Sequence, residues 1–292
     1  MKILIFGGNG MLGHQLLRVL EENHEVWITV RKDFAEIERF GIFCPGRTIE
    51  NVNAENLASI RDAIDKVKPH AVINAIGVIK QLPDSKNVIK TLSINSIFPH
   101  QLAELSGEFG FRLICISTDC VFDGAKGNYS ERDPPNAADL YGKSKNLGEV
   151  LADNCLTLRT SIIGREFETG HSLVEWFIGN RGKTVKGFVN AIYSGFPTTV
   201  FSNIIADIIK NHGRLAGLYH VSSEPINKFD LLTLIKAEYN LDINIEPFED
   251  FKIDRSLDST RFKVETGFSP QPWKSMIKAM AADPTPYEKW ER

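Results

Sequence analysis

The chain has 292 residues, 42% hydrophobic and 24% charged, with a formal net charge of −3. That length fits one large domain or a domain with a smaller lobe, and the composition is that of an ordinary globular protein. So small a charge gives no support for a surface that binds nucleic acid or is drawn to a membrane. No stretch approaches the roughly 18 apolar residues of a membrane span. The first apolar run breaks at Gly7-Gly8, too early for a signal peptide. Cys44, Cys115, Cys120 and Cys155 contain no CxxC pair, so neither a zinc site nor a redox pair is expected. Cys115 and Cys155 sit in apolar runs and read as small buried hydrophobes. A cytoplasmic location fits this cysteine pattern. The histidines are scattered, with no HxxxH or HxH pair, so no metal is expected.

In chain order, Lys2–Phe6 is a continuous apolar run, the pattern of a strand covered on both faces. Residues 11–22 place Leu12, Leu16, Leu17 and Leu20 at helical spacing. Residues 25–30 form a β-branched strand, 57–67 a helix stopped by Pro69, and 71–75 another strand. Residues 88–109 read as one long helix with a kink at Pro99. Residues 111–117 are again a buried strand, 140–153 helical, and 156–159 strand-like. Helices are also expected over 172–178, 199–212 and 227–239, with a strand over 218–221. The basic cluster Arg181, Lys183 and Lys186 reads as a solvated loop, or as a contact for a nucleotide diphosphate. This alternation predicts an α/β fold: a Rossmann-type doubly wound parallel sheet with a smaller C-terminal substrate-binding lobe. The expected division is a dinucleotide-binding domain over 1–160 and a substrate lobe over 161–292, interleaved with the main sheet.

Gly7, Gly10 and Gly13 follow the first strand and open the first helix, as Gly-x-x-Gly-x-x-Gly. Such a turn needs residues without Cβ for its bend, for close approach of a pyrophosphate, and for helix–strand packing. The helix N-terminus then presents unpaired N–H groups to the phosphates. The GxxxxGK[ST] loop of nucleotide triphosphatases is absent, which favours a dinucleotide. Arg31 follows the second strand, where a base suits the 2′-phosphate of NADP. NADP is therefore the preferred cofactor, with NAD the alternative. The other reading of Arg31 and Lys32 is a pair of solvated loop charges.

Tyr141 and Lys145 lie four apart on a helix and share a face. A carbonyl that accepts hydride needs a proton, and a phenol can give one. A neighbouring ammonium lowers the phenol's pKa by stabilising the phenolate. Ser117 and Thr118 end a strand, at the edge where open α/β sheets bind ligands.

With those residues together, the sequence resembles the extended short-chain dehydrogenase/reductases, within them the dTDP-4-dehydrorhamnose reductase (RmlD-like) group. The resemblance is carried by GGNGMLG (7–13), NAIG (74–77), STDCVFDG (117–124), ERDPPNAADLYGKSKNLGE (131–149) and LRTSIIG (158–164). SGFPTT (194–199) and SLDSTRF (256–262) add to it. It implies a catalytic triad of Thr118, Tyr141 and Lys145. It implies that Gly10, Met11 and Leu12 line the pyrophosphate. The wider cofactor set is Gly7, Asn9, Gly13, Arg31, Ala75, Ile76, Gly77, Val78 and Ile116, with Tyr141 and Lys145. Thr118 and Asp119 would touch the sugar, with Cys120 and Ile162 bordering it. Asn95 matches a position that supports active-site backbone or water; a polar residue satisfied inside a kinked helix is the other reading.

Several positions depart from the family pattern. Cys120 replaces the Tyr of STDYVF, Ile162 stands where an aromatic is common, and Ile192-Tyr193 replace the Asp-Gln of DQxGxPT. Asn53 stands where an acid often lies near the adenine. The resemblance thus implies NADPH-dependent reduction of a nucleotide-linked 4-dehydro-6-deoxysugar, with a repacked sugar pocket. The implied partner is the nucleotide sugar, without nucleic acid or membrane, and a homodimer is one assembly open to such a chain. Two rivals stay open: an epimerase of the same fold that keeps its NAD bound, and a non-catalytic NADP-binding regulatory subunit.

Overall fold

The computed structural model describes residues 1–80, 83–167 and 170–290. β1 (Lys2–Phe6) leads into α1 (Gly13–Leu20), β2 (Glu25–Thr29), α2 (Ala35–Glu38), β3 (Thr48–Ile49), α3 (Leu57–Val67) and β4 (Ala71–Asn74). Next come α4 (Val88–Leu92), α5 (Phe98–Phe109), β5 (Arg112–Thr118), α6 (Leu140–Leu147) and β6 (Cys155–Thr160). β7 (Ile162–Ile163), α7 (Leu173–Ile178), β8 (Thr184–Tyr193), β9 (Phe196–Pro197), α8 (Thr198–Asn211) and β10 (Gly217–His220) follow. The last stretch holds β11 (Ile226–Asn227), α9 (Lys228–Glu238), β12 (Asn244–Asp254), α10 (Thr260–Thr266) and α11 (Trp273–Ala281).

Seven strands form the main sheet, in the order β10-β6-β5-β4-β1-β2-β3. β1 pairs in parallel with β2 and with β4, and β2–β3 and β4–β5 are parallel as well. The strand order therefore reverses beside β1, which opens a crevice at the carboxyl ends of β1 and β4. Ile3, Leu4, Ile5 and Phe6 are fully buried, as a strand sandwiched between helices requires. The doubly wound α/β fold expected from the alternation is the fold observed.

Local chemistry explains most element ends. Asn56 caps α3 by accepting from the N–H groups of Ala58 and Ser59. α3 stops at Lys68, in a left-handed conformation just before Pro69.

The helix over 88–109 runs on without a break. Its irregularity is a π-helical turn at Ser93–Ile97, immediately before Pro99, which has no N–H to give to the helix. The helix expected over 140–153 ends at Leu147. A Cβ on Gly148 would lie 1.9 Å from the Asn95 carbonyl oxygen, so the chain needs glycine there and the helix stops on a poor helix former. A second sheet, β11-β8-β12, was not expected from the sequence. β8 and β12 pair in parallel, with a register shift between Phe248 and Lys252. Lys186 is thus on a strand and not in a loop, with its ammonium 4.0 Å from the Phe248 ring centre.

The chain divides into two compact units. The first comprises Met1–Ser117, Asp139–Leu158 and Ser202–Leu218; the second comprises Thr118–Ala138, Arg159–Phe201 and the chain from Tyr219 onward. In the first, Leu4, Phe6, Ile60, Ile64, Val72, Phe98 and Leu113 belong to one buried cluster, and Phe6 meets Phe98 edge to face at 5.6 Å. In the second, Phe122 stacks on Tyr129 at 4.1 Å, and the buried Arg159 guanidinium lies 5.3 Å from the Phe122 ring centre. Among the described residues, no helix is long and apolar enough to cross a membrane.

Candidate active site

The glycine turn after β1 is built by contacts that exclude side chains. Gly7 has φ +82°, and a Cβ there would sit 2.9 Å from Ile76 Cγ1. A Cβ on Gly13 would lie 2.1 Å from the Gly7 carbonyl oxygen. The Gly10 N–H donates to Gly7 O at 3.0 Å, and the His14 N–H returns the chain to Gly10 O at 3.2 Å. α1 then begins without any side-chain cap. Its first-turn N–H groups can therefore serve an anion, so the turn of Asn9, Gly10, Met11 and Leu12 fits a dinucleotide pyrophosphate. Arg31 is exposed, two residues past the end of β2.

The segment after β4 is held from both ends. The Ala75 N–H donates to Phe6 O at 3.1 Å, and Ile76 N–H donates to Asn74 Oδ1 at 3.1 Å. Asn95 is fully buried in the π-helical turn. Its amide pairs with both backbone groups of Val78: the Val78 N–H donates to Oδ1 at 2.9 Å, and Nδ2 donates to Val78 O at 3.0 Å. Nδ2 also donates to Ser144 Oγ on α6 at 3.1 Å. One buried amide thus fixes the Gly77–Val78 segment and the Tyr141–Lys145 helix against each other. The π turn allows this by turning Asn95 inward out of α-helical register.

α6 begins at Asp139, whose carboxylate accepts the Gly142 N–H at 2.9 Å. The other carboxylate oxygen receives Lys80 Nζ at 2.8 Å, and that ammonium lies 5.6 Å from the Tyr141 ring centre. Tyr141 is partly exposed. Lys145 donates from Nζ to Ile116 O on β5 at 2.7 Å. Burial holds the Lys145 ammonium below its ordinary pKa, against the pull of Cys115 and Glu149. The Cys115 thiol is itself pushed up to about 12 by burial and is no nucleophile. Ser117 is occupied, donating to Glu149 Oε1 at 2.7 Å.

The first unit therefore gathers Gly7, Asn9, Gly10, Met11, Leu12, Gly13, Arg31, Ala75, Ile76, Gly77, Val78, Ile116, Tyr141 and Lys145. Thr118, Asp119, Cys120 and Ile162 belong to the second. Thr118 is the last residue of β5; its hydroxyl accepts the Cys120 N–H and donates to Asp119 Oδ1, both at 3.1 Å. Asp119 is buried, and desolvation raises its pKa despite the nearby Arg255. Ile162 lies in β7, opposite Phe196 of β9.

Reasoning from the sequence missed two of three side chains grouped here, Arg255 and Lys228; Tyr193 it named only as a departure from the family pattern. Arg255 donates from Nε to Phe122 O at 2.9 Å and points NH1 at Cys120 Sγ, 3.8 Å away. Tyr193 is buried, and Lys228 Nζ lies 4.2 Å from its ring centre. One signal was available for Lys228. It opens α9 behind the Asn227 cap, where a cation opposes the helix dipole.

Comparison with known proteins places the chain in a family. The family model described as the RmlD substrate binding domain matches residues 1–285. The dTDP-4-dehydrorhamnose reductase of Aggregatibacter actinomycetemcomitans is 27% identical, over 96% of this chain and 98% of that one. The methionine adenosyltransferase 2 subunit beta of Danio rerio is 26% identical, over 82% of this chain and 74% of that one. Among solved structures, a hypothetical dTDP-4-dehydrorhamnose reductase from Sulfolobus tokodaii matches with a TM-score of 0.77 at 29% identity, over 94% of this chain and 99% of that one. With the glycine turn, the Tyr141–Lys145 helix and a family match running from the first residue to 285, this chain belongs to the RmlD substrate binding domain family.

Proposed function

We propose that this protein is an NADPH-dependent reductase of a nucleotide-linked 4-dehydro-6-deoxysugar. The observation that carries the reading is the Lys145 ammonium, anchored on Ile116 O and sharing a helix with Tyr141 four residues earlier. On this reading the first unit holds the dinucleotide and the second the sugar.

A dinucleotide seated on the glycine turn would supply hydride to the ketone carbon. Tyr141 gives its phenolic proton to the oxygen that becomes a hydroxyl, and Lys145 stabilises the phenolate left behind. Thr118 turns its O–H from Asp119 toward the same oxygen as negative charge develops. Asn95 positions both the Val78 segment and α6, so its part is indirect. Arg31 meets the 2′-phosphate, which makes NADPH the preferred cofactor and NADH a poorer one. The protein works in the cytoplasm, where its cysteines stay reduced, and a homodimer is the assembly to test by light scattering.

The deciding experiment follows NADPH absorbance with a panel of dTDP-, UDP- and GDP-linked 4-keto-6-deoxysugars. Turnover of at least one sugar is expected. Tight NADPH binding with no turnover would instead favour a regulatory subunit, the reading to which the likeness to methionine adenosyltransferase 2 subunit beta lends support.

A further inference from the structure

Lys228 is a group in the second unit whose surroundings do not explain it. Its ammonium is half-buried above the Tyr193 ring, at 4.2 Å. Among the described residues it makes no hydrogen bond and no ion pair. A ring face attracts a cation but leaves its N–H donors without acceptors. An ammonium removed from water without an acceptor is costly.

Asp119 and Cys120 act on it electrostatically. Asp119 makes no ion pair with it; its Oδ1 accepts the Thr118 hydroxyl at 3.1 Å, and the carboxylate offsets the ammonium charge without bonding it. Arg255 is spent on the Phe122 and Asp123 carbonyls and on Cys120. Tyr193 is packed tightly: a side chain at position 195 would lie 2.3 Å from its hydroxyl oxygen. The ring is therefore a fixed platform, and Lys228 keeps its donors for something else. Burial lowers its pKa to about 8, against the pull of Asp119 and Cys120. Two of the positions that depart from the family pattern bear on it: Tyr193 as its ring contact and Cys120 electrostatically.

We propose that Lys228 reads the sugar, donating from Nζ to an oxygen acceptor, a hydroxyl or an acylamino carbonyl, on a ring carbon beside the keto group. The assignment rests on the reductase reading, because it places Thr118 at the keto oxygen, and Asp119 links Thr118 to Lys228. The ligand class is a neutral sugar substituent with a lone pair, since Asp119 already offsets the charge. An anionic substituent would be held less well.

The test compares the wild type with Lys228→Met and Lys228→Arg on two nucleotide 4-keto-6-deoxysugars, one with and one without the C3 hydroxyl. Steady-state kinetics are paired with calorimetric binding of the same sugars to the NADP⁺-loaded protein. Lys228→Met should raise KM and the dissociation constant for the hydroxylated sugar by about 10- to 100-fold, the worth of one hydrogen bond to a charged group. kcat and NADPH affinity should change little, the sugar lacking the hydroxyl should be unaffected, and Lys228→Arg should restore part of the loss. Equal weakening of both sugars, or none, overturns the proposal. If the wild type binds the sugars but reduces none, the reductase reading falls, and binding to Lys228→Met still judges this site. Failure of the wild type to bind any sugar overturns both.

Discussion

The two units use different chemistry. The first works largely through backbone: a glycine turn, an uncapped helix start, the Ile116 carbonyl that anchors Lys145, and the peptide groups of Val78 held by Asn95. The second offers side chains drawn from four separate segments, at Asp119, Tyr193, Lys228 and Arg255. A pyrophosphate is the same in every nicotinamide dinucleotide, so backbone can recognise it and few side chains are needed. Sugars differ by the position of single hydroxyls, so side chains must do the reading, and they can be exchanged without disturbing the sheet.

Four experiments would break or sharpen this contrast. The largest effect is expected in the first unit: Tyr141→Phe should lower kcat by roughly 10³-fold through loss of the general acid, with NADPH binding unchanged. A kcat within twofold of wild type would move the acid elsewhere.

The second concerns stability in the second unit. Burial, and after it the Arg159 guanidinium, push the His220 imidazole down to about 4. Nδ1 faces Tyr129 O at 2.9 Å and Nε2 faces Arg159 at 3.2 Å, so the neutral ring serves both. Between the ordinary histidine value and 4, the unfolded chain takes up a proton that the folded chain refuses. Stability should therefore be lost as pH falls from about 6.5 toward 4, by about 3 kcal/mol for this one group. Urea midpoints across that window, for wild type and His220→Gln, should show a shallower slope in the variant.

A smaller effect is expected of Asn95→Ala, which strips partners from the Val78 backbone and Ser144. A loss of about 1–3 kcal/mol should appear in denaturant unfolding, with a lower kcat and an unchanged pH optimum. A variant that loses stability but keeps full kcat would reduce Asn95 to a packing role. Smallest is Arg31→Asp, which should weaken NADPH relative to NADH by about tenfold in a fluorescence titration. Equal changes for both cofactors would remove Arg31 from the 2′-phosphate.

The same contrast explains what could be read in advance. β1, the glycine turn, α3 and β4 were legible because each is specified locally: an apolar run, a glycine spacing, a cap, a proline. Tyr141 and Lys145 were legible because four residues on a helix are one face. The π turn was not, because nothing in SINSI marks a register change; the Asn95 bonds to Val78 and Ser144 make it worthwhile. β8 and β12 were hidden by their lysines, glutamates and glycine, which read as loop. Their pairing spans about sixty residues of chain, and it is packing against each other that makes them strands.

The sequence by itself determined the doubly wound sheet, the dinucleotide turn and the Tyr141–Lys145 pair, since periodicity and short spacings are properties of neighbouring residues. Only the tertiary structure decided that Lys228 stands over Tyr193, that Ser117 is bound to Glu149, and that one asparagine ties the Val78 segment to α6. Those contacts join residues as many as 49 positions apart, in the case of Asn95 and Ser144. No local propensity encodes such distances; they exist only once burial of the two cores has brought the segments together.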